Sequence, residues 1–391
     1  MTRAPDGRVN LDVEDLRSLR TRRSDKWAGH PSGVISSTIA EMDFPIAEPV
    51  ADALHAAIRR SDLGYAPREV PRLATAFAGF AARRLNWKVD PQQVSVVPDV
   101  MIGILELARA LTRPGESVAF SSPAYPPFLI ELPPAQLSAR PIPLASDGGT
   151  DLDALDAAFA SGTRVFILAN PHNPTGRVVP QDELARIAAL AAAHDAWVIA
   201  DEIHAPLTLP GAQHVPFLEV SDDARARGFA LTSASKAFNL AGLKTALVVT
   251  AGEQPRRAMD RLLPMTDHTG ILGVIAAEVA FSEGDAWLDA VLGRLDENRT
   301  LLASLLRDRL PAVRWDPPQA SFLAWLDFRG CSLGGDAAEV IMERAELALS
   351  PGREYGAPGS YARLNFGTSP ELVTEMADRL VTATRPSGAR R

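Results

Sequence analysis

The chain writes almost all of its positive charge as arginine: of 40 Lys plus Arg, only Lys26, Lys88, Lys236 and Lys244 are lysine. Two of these four fall within "ALTSASKAFNLAGLKTALVV", residues 230–249, between apolar runs that read as buried strands. A lysine desolvated at a strand end loses proton affinity, so part of it is a neutral, nucleophilic amine. Arginine cannot do this, and a Schiff base needs a primary amine. Lys236 is therefore the candidate nucleophile. A second candidate is Asp201 in "AWVIADEIHAP". A carboxylate closing an apolar run must meet a cation or several hydrogen-bond donors, or it is driven neutral. Asn170 and Asn173 lie in "ANPHNPTG", a turn set by Pro171, Pro174 and Gly176. Tyr125, Ser233 and Ser235 likewise end apolar runs.

These residues need elements to hold them. "SVAFSSP" (117–123), "TRVFILANP" (163–171), "AWVIADE" (196–202), "GFALTSAS" (228–235) and "TALVVT" (245–250) are nearly continuously apolar before turning polar. Strands buried on both faces read this way, and stretches such as "QDELARIAALAAAH" (181–194) suit the helical crossovers between them. The expected fold is α/β, with a mostly parallel mixed sheet between helices in a large domain. Ligands bind such sheets beyond the carboxyl ends of the strands, where the polar residues named above gather. After about residue 285 the pattern changes to a long helix, "AWLDAVLGRLDENRTLLASLLRDRL", then to "SFLAWLDF" and "YARLNFGT". The expected domains are 1–45 as an N-terminal part of a small domain, 46–284 as the large domain, and 285–391 as a small α+β domain.

Composition narrows the function classes. With 391 residues, 46% hydrophobic and 23% charged, the chain reads as an ordinary two-domain globular protein. A net charge of −8 argues against nucleic acid as the main partner. The one cysteine, Cys331, cannot form an internal disulfide, which suits a reducing compartment. The polar start "MTRAPDGRVNLDVEDLRSLR" has no signal-peptide core, and no run of about 18 apolar residues reads as a membrane span. The expected location is cytoplasmic, without membrane partners. His172 and His204 are expected to line or support the pocket. No metal is expected, since no second ligand cluster accompanies them. Trp197 and Trp325 are expected in the core, and Cys331 in a structural role.

Taken in order, "NPHNPTG", "ADEIH", "SASK" and "ARLNFG" resemble the aminotransferase class I/II family of pyridoxal-phosphate enzymes, fold type I. The resemblance spans nearly the whole chain. It implies that Lys236 carries pyridoxal 5'-phosphate covalently through its amine, and that Asp201 pairs with the pyridine nitrogen. Asn173 would bond the ring's phenolic oxygen, Tyr125 would stack on the ring, and His204 would support the pocket. Ser233, Lys244 and the amides of Val100 and Met101 would hold the phosphate, the last two by opening the helix "VMIGILELARAL". Arg363 would clamp the substrate α-carboxylate with a two-pronged fork. Tyr65 in "LGYAP" would reach the phosphate of a neighbouring subunit, which implies a homodimer with shared active sites. His268 and Thr269 could reach the same place or simply begin a helix.

Within that family, "AEMDFPIAEPV" (40–50), "GYAP", "NPHNP" and "DEIHAPL" look like the cystathionine β-lyase, or C–S lyase, branch. The implied reaction removes the Cα proton of an S-substituted cysteine through Lys236 and expels the β-thiolate. Pyruvate and ammonia follow, with Lys236, Tyr125 or Tyr65 protonating the sulfur. Thr38-Ile39-Ala40-Glu41 stands where lyases commonly read Trp-Val-Ala-Asp, "NPTG" is the transaminase spelling, and Lys244 departs from many lyases. Aminotransfer, or a decarboxylating or deaminating variant on an S-conjugated cysteine, is thus the alternative. A non-catalytic effector-binding protein is a third reading, opposed by the presence of Lys236 and Asp201.

Overall fold

The computed structural model describes residues 9–385; the outer ends of the expected terminal segments, 1–8 and 386–391, lie outside them. The chain divides into two compact units. The larger holds residues 46–173 and 177–288, and the smaller holds residues up to 45, 174–176 and those from 289 on.

The apolar runs of the larger unit become strands of one seven-stranded sheet. These are β1 (Val94–Val97), β2 (Ser117–Ser122), β3 (Ser138–Pro143), β4 (Val165–Ala169), β5 (Trp197–Asp201), β6 (Gly228–Thr232) and β7 (Ala246–Val249). They lie in the order β1-β7-β6-β5-β4-β2-β3. Strands β2 to β6 are parallel, and only β7 runs against its neighbours β1 and β6. Helix α1 (Val100–Leu111) buries Val100, Ile104, Leu107 and Ala108 in one core with Val97, Ile167, Ile199, Leu231 and Val248. Gly103 allows this close approach: a Cβ there would sit 2.7 Å from Leu231 Cδ2 and 3.2 Å from Val97 Cγ2. Helix α2 (Gln181–Ala193) is the crossover between β4 and β5, with Leu184, Ile187, Ala188 and Ala191 buried.

One consequence of this topology matters most. Strand β1 points the same way as β2 to β6, because β7 opposes both β1 and β6. The N-terminus of α1 therefore falls on the sheet edge where β4, β5 and β6 end.

The smaller unit contains a three-stranded antiparallel sheet of β8 (Leu323–Asp327), β9 (Ser350–Pro351) and β10 (Tyr361–Asn365), in the order β9-β10-β8. A short parallel pair joins Ile35–Ser36 to Leu347–Ala348. Most of the long helix Asp285–Arg309 belongs to this unit, as do the helices Ala337–Ala345 and Pro370–Thr384. The turn glycine of "NPTG" belongs here too. Gly176 has φ +70°, and its carbonyl accepts the amides of Gln319 and Ala320 at 3.0 Å each.

The two tryptophans expected in the core lie at its margin, and Trp197 packs against the core of the larger unit. Trp197 is half-buried under the Arg227 guanidinium, 5.1 Å from the ring centre, and Trp325 is half-buried and stacked on Tyr361 at 5.5 Å. The Trp197 indole lies beneath a cation and the Trp325 indole against a second aromatic ring, both of which a half-buried indole tolerates. Cys331 is a half-buried free thiol whose pKa burial pushes up. Among the described residues no helix is long and apolar enough to cross a membrane.

Candidate active site

Asp201 is the last residue of β5, and its neighbours are fixed by sheet register: Ala169 of β4 on one side and Leu231 of β6 on the other. The Asn170 amide donates to the Asp201 carbonyl at 2.9 Å, and the Glu202 amide donates to the Leu231 carbonyl at 2.8 Å. The ends of β4, β5 and β6 are thereby laced together. The Asp201 carboxyl is pushed up to about 7, first by burial. The Ile203 N–H, donating to Oδ1 at 3.2 Å, and the charge of Lys236 pull it down, while Asp99 and Glu202 push it further up. Lys236 is thus close enough to Asp201 for their charges to act on each other.

Lys236 sits in α3 (Ala234–Ala237), a single turn directly after β6. Ser233 caps that turn. Its hydroxyl accepts the Ser235 amide at 3.0 Å and donates to the Thr245 carbonyl at 2.6 Å. Ser233 is buried, so the hydroxyl proton expected to serve a phosphate is engaged within the protein instead. Its position on the helix cap explains this: the two partners tie the Lys236 turn to the start of β7.

The expected phosphate residues Met101 and Lys244 share a protein partner. Asp99, which the sequence reading passed over, caps α1. Its Oδ1 accepts the Met101 amide at 2.8 Å, and its Oδ2 pairs with Lys244 Nζ at 2.9 Å. Met101 and Lys244 are brought to one place, but a carboxylate of the protein itself occupies both. An Asp just before an apolar helical run is the N-cap signal that could have revealed it. Lys244 has φ +51°, an unusual backbone for a non-glycine residue, at the end of the turn before β7. Val100, the first residue of α1, is buried.

The remaining expected residues divide. Tyr125 is half-buried and opens the short helix Pro126–Ile130, its ring edge-on to Phe128 at 5.7 Å. Asn173 follows the buried His172, whose pKa falls to about 4, mainly through burial and then the Arg177 charge. His204 is buried at the start of the turn Ala205–Leu207. Tyr65 does not join this buried group: it is fully exposed, within the largely exposed stretch 61–69. His268 is exposed too, and the helix Ile271–Glu283 begins three residues later.

Arg363 belongs to the smaller unit. It lies on β10, buried to 4% exposure, with Nη2 donating to the Thr38 carbonyl at 2.7 Å and its guanidinium 5.1 Å from the Tyr355 ring centre.

The donor set of the larger unit suits a flat, basic heterocycle carrying an aldehyde and an anionic tail. A buried carboxyl poised near neutrality would share a proton with a ring nitrogen. An amine nearby would take the aldehyde. A helix N-terminus and Lys244 would face the anion once Asp99 yields them. Among the described residues no group of three or more His, Cys, Asp and Glu side chains could hold a metal ion.

Known proteins share this fold. The description "Aminotransferase class I and II" matches residues 35–380. A relative from Mycobacterium tuberculosis (strain CDC 1551 / Oshkosh), provisionally named cystathionine beta-lyase, is 40% identical, with 96% of this chain and 98% of its own length aligned. The cystathionine beta-lyase of Corynebacterium glutamicum is 35% identical over 94% and 98% of the two chains. A solved structure from Corynebacterium diphtheriae, provisionally titled a PLP-dependent β-cystathionase, superposes with a TM-score of 0.91 at 33% identity, covering 96% and 99%. A match over nearly all of the chain settles its kinship: it belongs to the aminotransferase class I and II family.

Proposed function

We propose that the protein is a pyridoxal-phosphate-dependent carbon–sulfur β-lyase, which with water converts an S-substituted L-cysteine to a thiol, pyruvate and ammonia. The observation that carries this reading is the placement of Asp201 at the end of β5 and of Lys236 in the turn that follows the adjacent β6, in a chain whose relatives named cystathionine beta-lyase align over almost their full length. When bound, pyridoxal phosphate supplies an electron sink for the charge that develops at the substrate Cα. The protein's own residues do the rest. Lys236 would hold the cofactor through its amine and, once free, would take the substrate Cα proton and could pass it to the departing sulfur. Asp201 shares a proton with the ring nitrogen, which its burial beside β4 and β6 favours. Asn173 would donate to the ring's phenolic oxygen, Tyr125 would cover the ring, and His204 would back the pocket. Val100, Met101 and Lys244 would hold the phosphate, with Ser233 fixing the turn that carries Lys236. Arg363 takes the substrate carboxylate through its fork of donors. Two copies of the chain form the working enzyme, each lending Tyr65 to the other's phosphate.

The test is to incubate the purified protein with L-cystathionine and no 2-oxoacid, and to measure pyruvate and free thiol. Many equivalents of both per site are expected, and Lys236→Ala should form neither and retain no cofactor after borohydride reduction, as read by protein mass. One equivalent of oxoacid per site without thiol would replace this reading with aminotransfer.

A further inference from the structure

A buried charge cluster in the smaller unit is used by none of the steps above. Lys26 and Asp43 are 1% and 0% exposed, and their Nζ and Oδ1 atoms are 2.9 Å apart. The Trp27 indole N–H donates to the same Oδ1 at 2.9 Å. Lys26 Nζ also donates to the Glu41 carbonyl at 3.1 Å. An ion pair this deep is costly to desolvate, and an apolar filling would serve stability as well, so its use is in fixing geometry. What it fixes is the segment 37–43. From that segment the Thr38 carbonyl accepts Arg363 Nη2 at 2.7 Å, and the Ile39 and Glu41 carbonyls each accept Asn365 Nδ2 at 2.7 Å. At its far end the Asp43 amide donates to Gly367 at 2.8 Å. Gly367 is a glycine because a Cβ would meet Met42 Cγ at 2.9 Å. The "Met-Asp-Phe" stretch and "RLNFG" thus hold each other, and the Glu41 carbonyl is gripped from both sides by Lys26 and Asn365.

We propose that Lys26, Trp27 and Asp43 are positioning residues: they latch the segment on which the Arg363 guanidinium rests, and so set the fork that receives the substrate carboxylate. The proposal rests on reading Arg363 as the carboxylate ligand. Two-pronged recognition demands that the guanidinium plane be held to a fraction of an ångström, and a loose carbonyl at Thr38 would release it.

Lys26→Met and Asp43→Asn holoenzymes are to be compared with wild type in kcat and KM for L-cystathionine, and in inhibition by L-alanine against L-alaninamide. The latch predicts KM raised about tenfold with kcat changed less than about threefold, and the preference for L-alanine reduced by the same factor. A merely structural role would lower thermal stability and leave that preference intact. Arg363→Ala separates the two ideas. If it keeps the preference, the reading of Arg363 falls. If it loses the preference while folded Lys26→Met and Asp43→Asn retain wild-type KM and preference, the latch falls. Should neither of those two variants fold, Trp27→Phe decides, because it deletes the indole hydrogen bond to Asp43 while keeping an apolar ring and the Lys26–Asp43 pair: an unchanged KM and preference there overturns the proposal.

Discussion

Burying a carboxyl group at the end of β5 costs the folded chain free energy that a cation at the same spot would return. Asp201 keeps its proton up to about pH 7, against an ordinary value of 3.8. Between those values the folded chain binds more protons than the unfolded chain. Stability of the cofactor-free protein therefore falls as pH rises from about 4 to about 7 and levels off above, by at most about 4 kcal/mol. Asp201→Asn removes the ionisation and keeps the shape. Thermal unfolding of the two cofactor-free proteins should coincide near pH 4, with the variant several degrees more stable at pH 8, while thiol release drops by about a hundredfold or more. A variant no more stable at pH 8 would mean that the carboxylate is already ionised and satisfied in the fold. Lysine scarcity and a carboxylate at the end of an apolar run were enough to single out Lys236 and Asp201 from sequence. The capping role of Asp99 had a local signal, but its pairing with Lys244 did not, because Lys244 lies 145 residues away along the chain.

Among the elements, the Lys236 turn is held in place by Ser233. Its hydroxyl bridges the part-buried Ser235 amide and the buried Thr245 carbonyl. Ser233→Ala leaves that carbonyl and amide without their partner, and should destabilise the cofactor-free protein by about 1–2 kcal/mol in urea unfolding. If Ser233 served chiefly as a phosphate ligand, the urea midpoint would stay and cofactor affinity alone would fall. The buried strands β2, β4, β5, β6 and β7 were visible as apolar runs because both of their faces are covered. The two strands the sequence did not reveal, β1 and β3, are the edges of the sheet. β3 reads "SARPIP", with Arg140 and two prolines, and it is mostly exposed or half-buried. Proline and polar residues are tolerated there because an edge strand has one side free of ladder partners. Nor could the antiparallel direction of β7 be read, since an apolar run does not encode its direction. In the smaller unit the change of pattern at "SFLAWLDF" and "YARLNFGT" was legible, while the bonding of "YARLNFGT" to the segment 37–43 came only from folding.

At the scale of the whole molecule, Tyr65 raises the question of a second copy. Its side chain is fully exposed, and Ile58, Leu63, Leu263 and Met265 of the same unit are also exposed apolar residues. An aromatic ring left this open by its own chain is suited to burial against another surface. If two copies exchange Tyr65, inactivating residues placed on different chains can complement each other. Tyr65→Ala supplies an intact Lys236 and lacks the ring; Lys236→Ala supplies the ring and lacks the amine. A hybrid dimer then contains one site with both and one with neither. Random reassociation of an equal mixture makes half of the dimers hybrid, so activity should rise from near zero to about one quarter of wild type. Intact-mass measurement of the mixture would confirm that subunits exchanged. With exchange demonstrated and no activity regained, Tyr65 would be shown to serve its own chain, and the shared-site reading would be withdrawn.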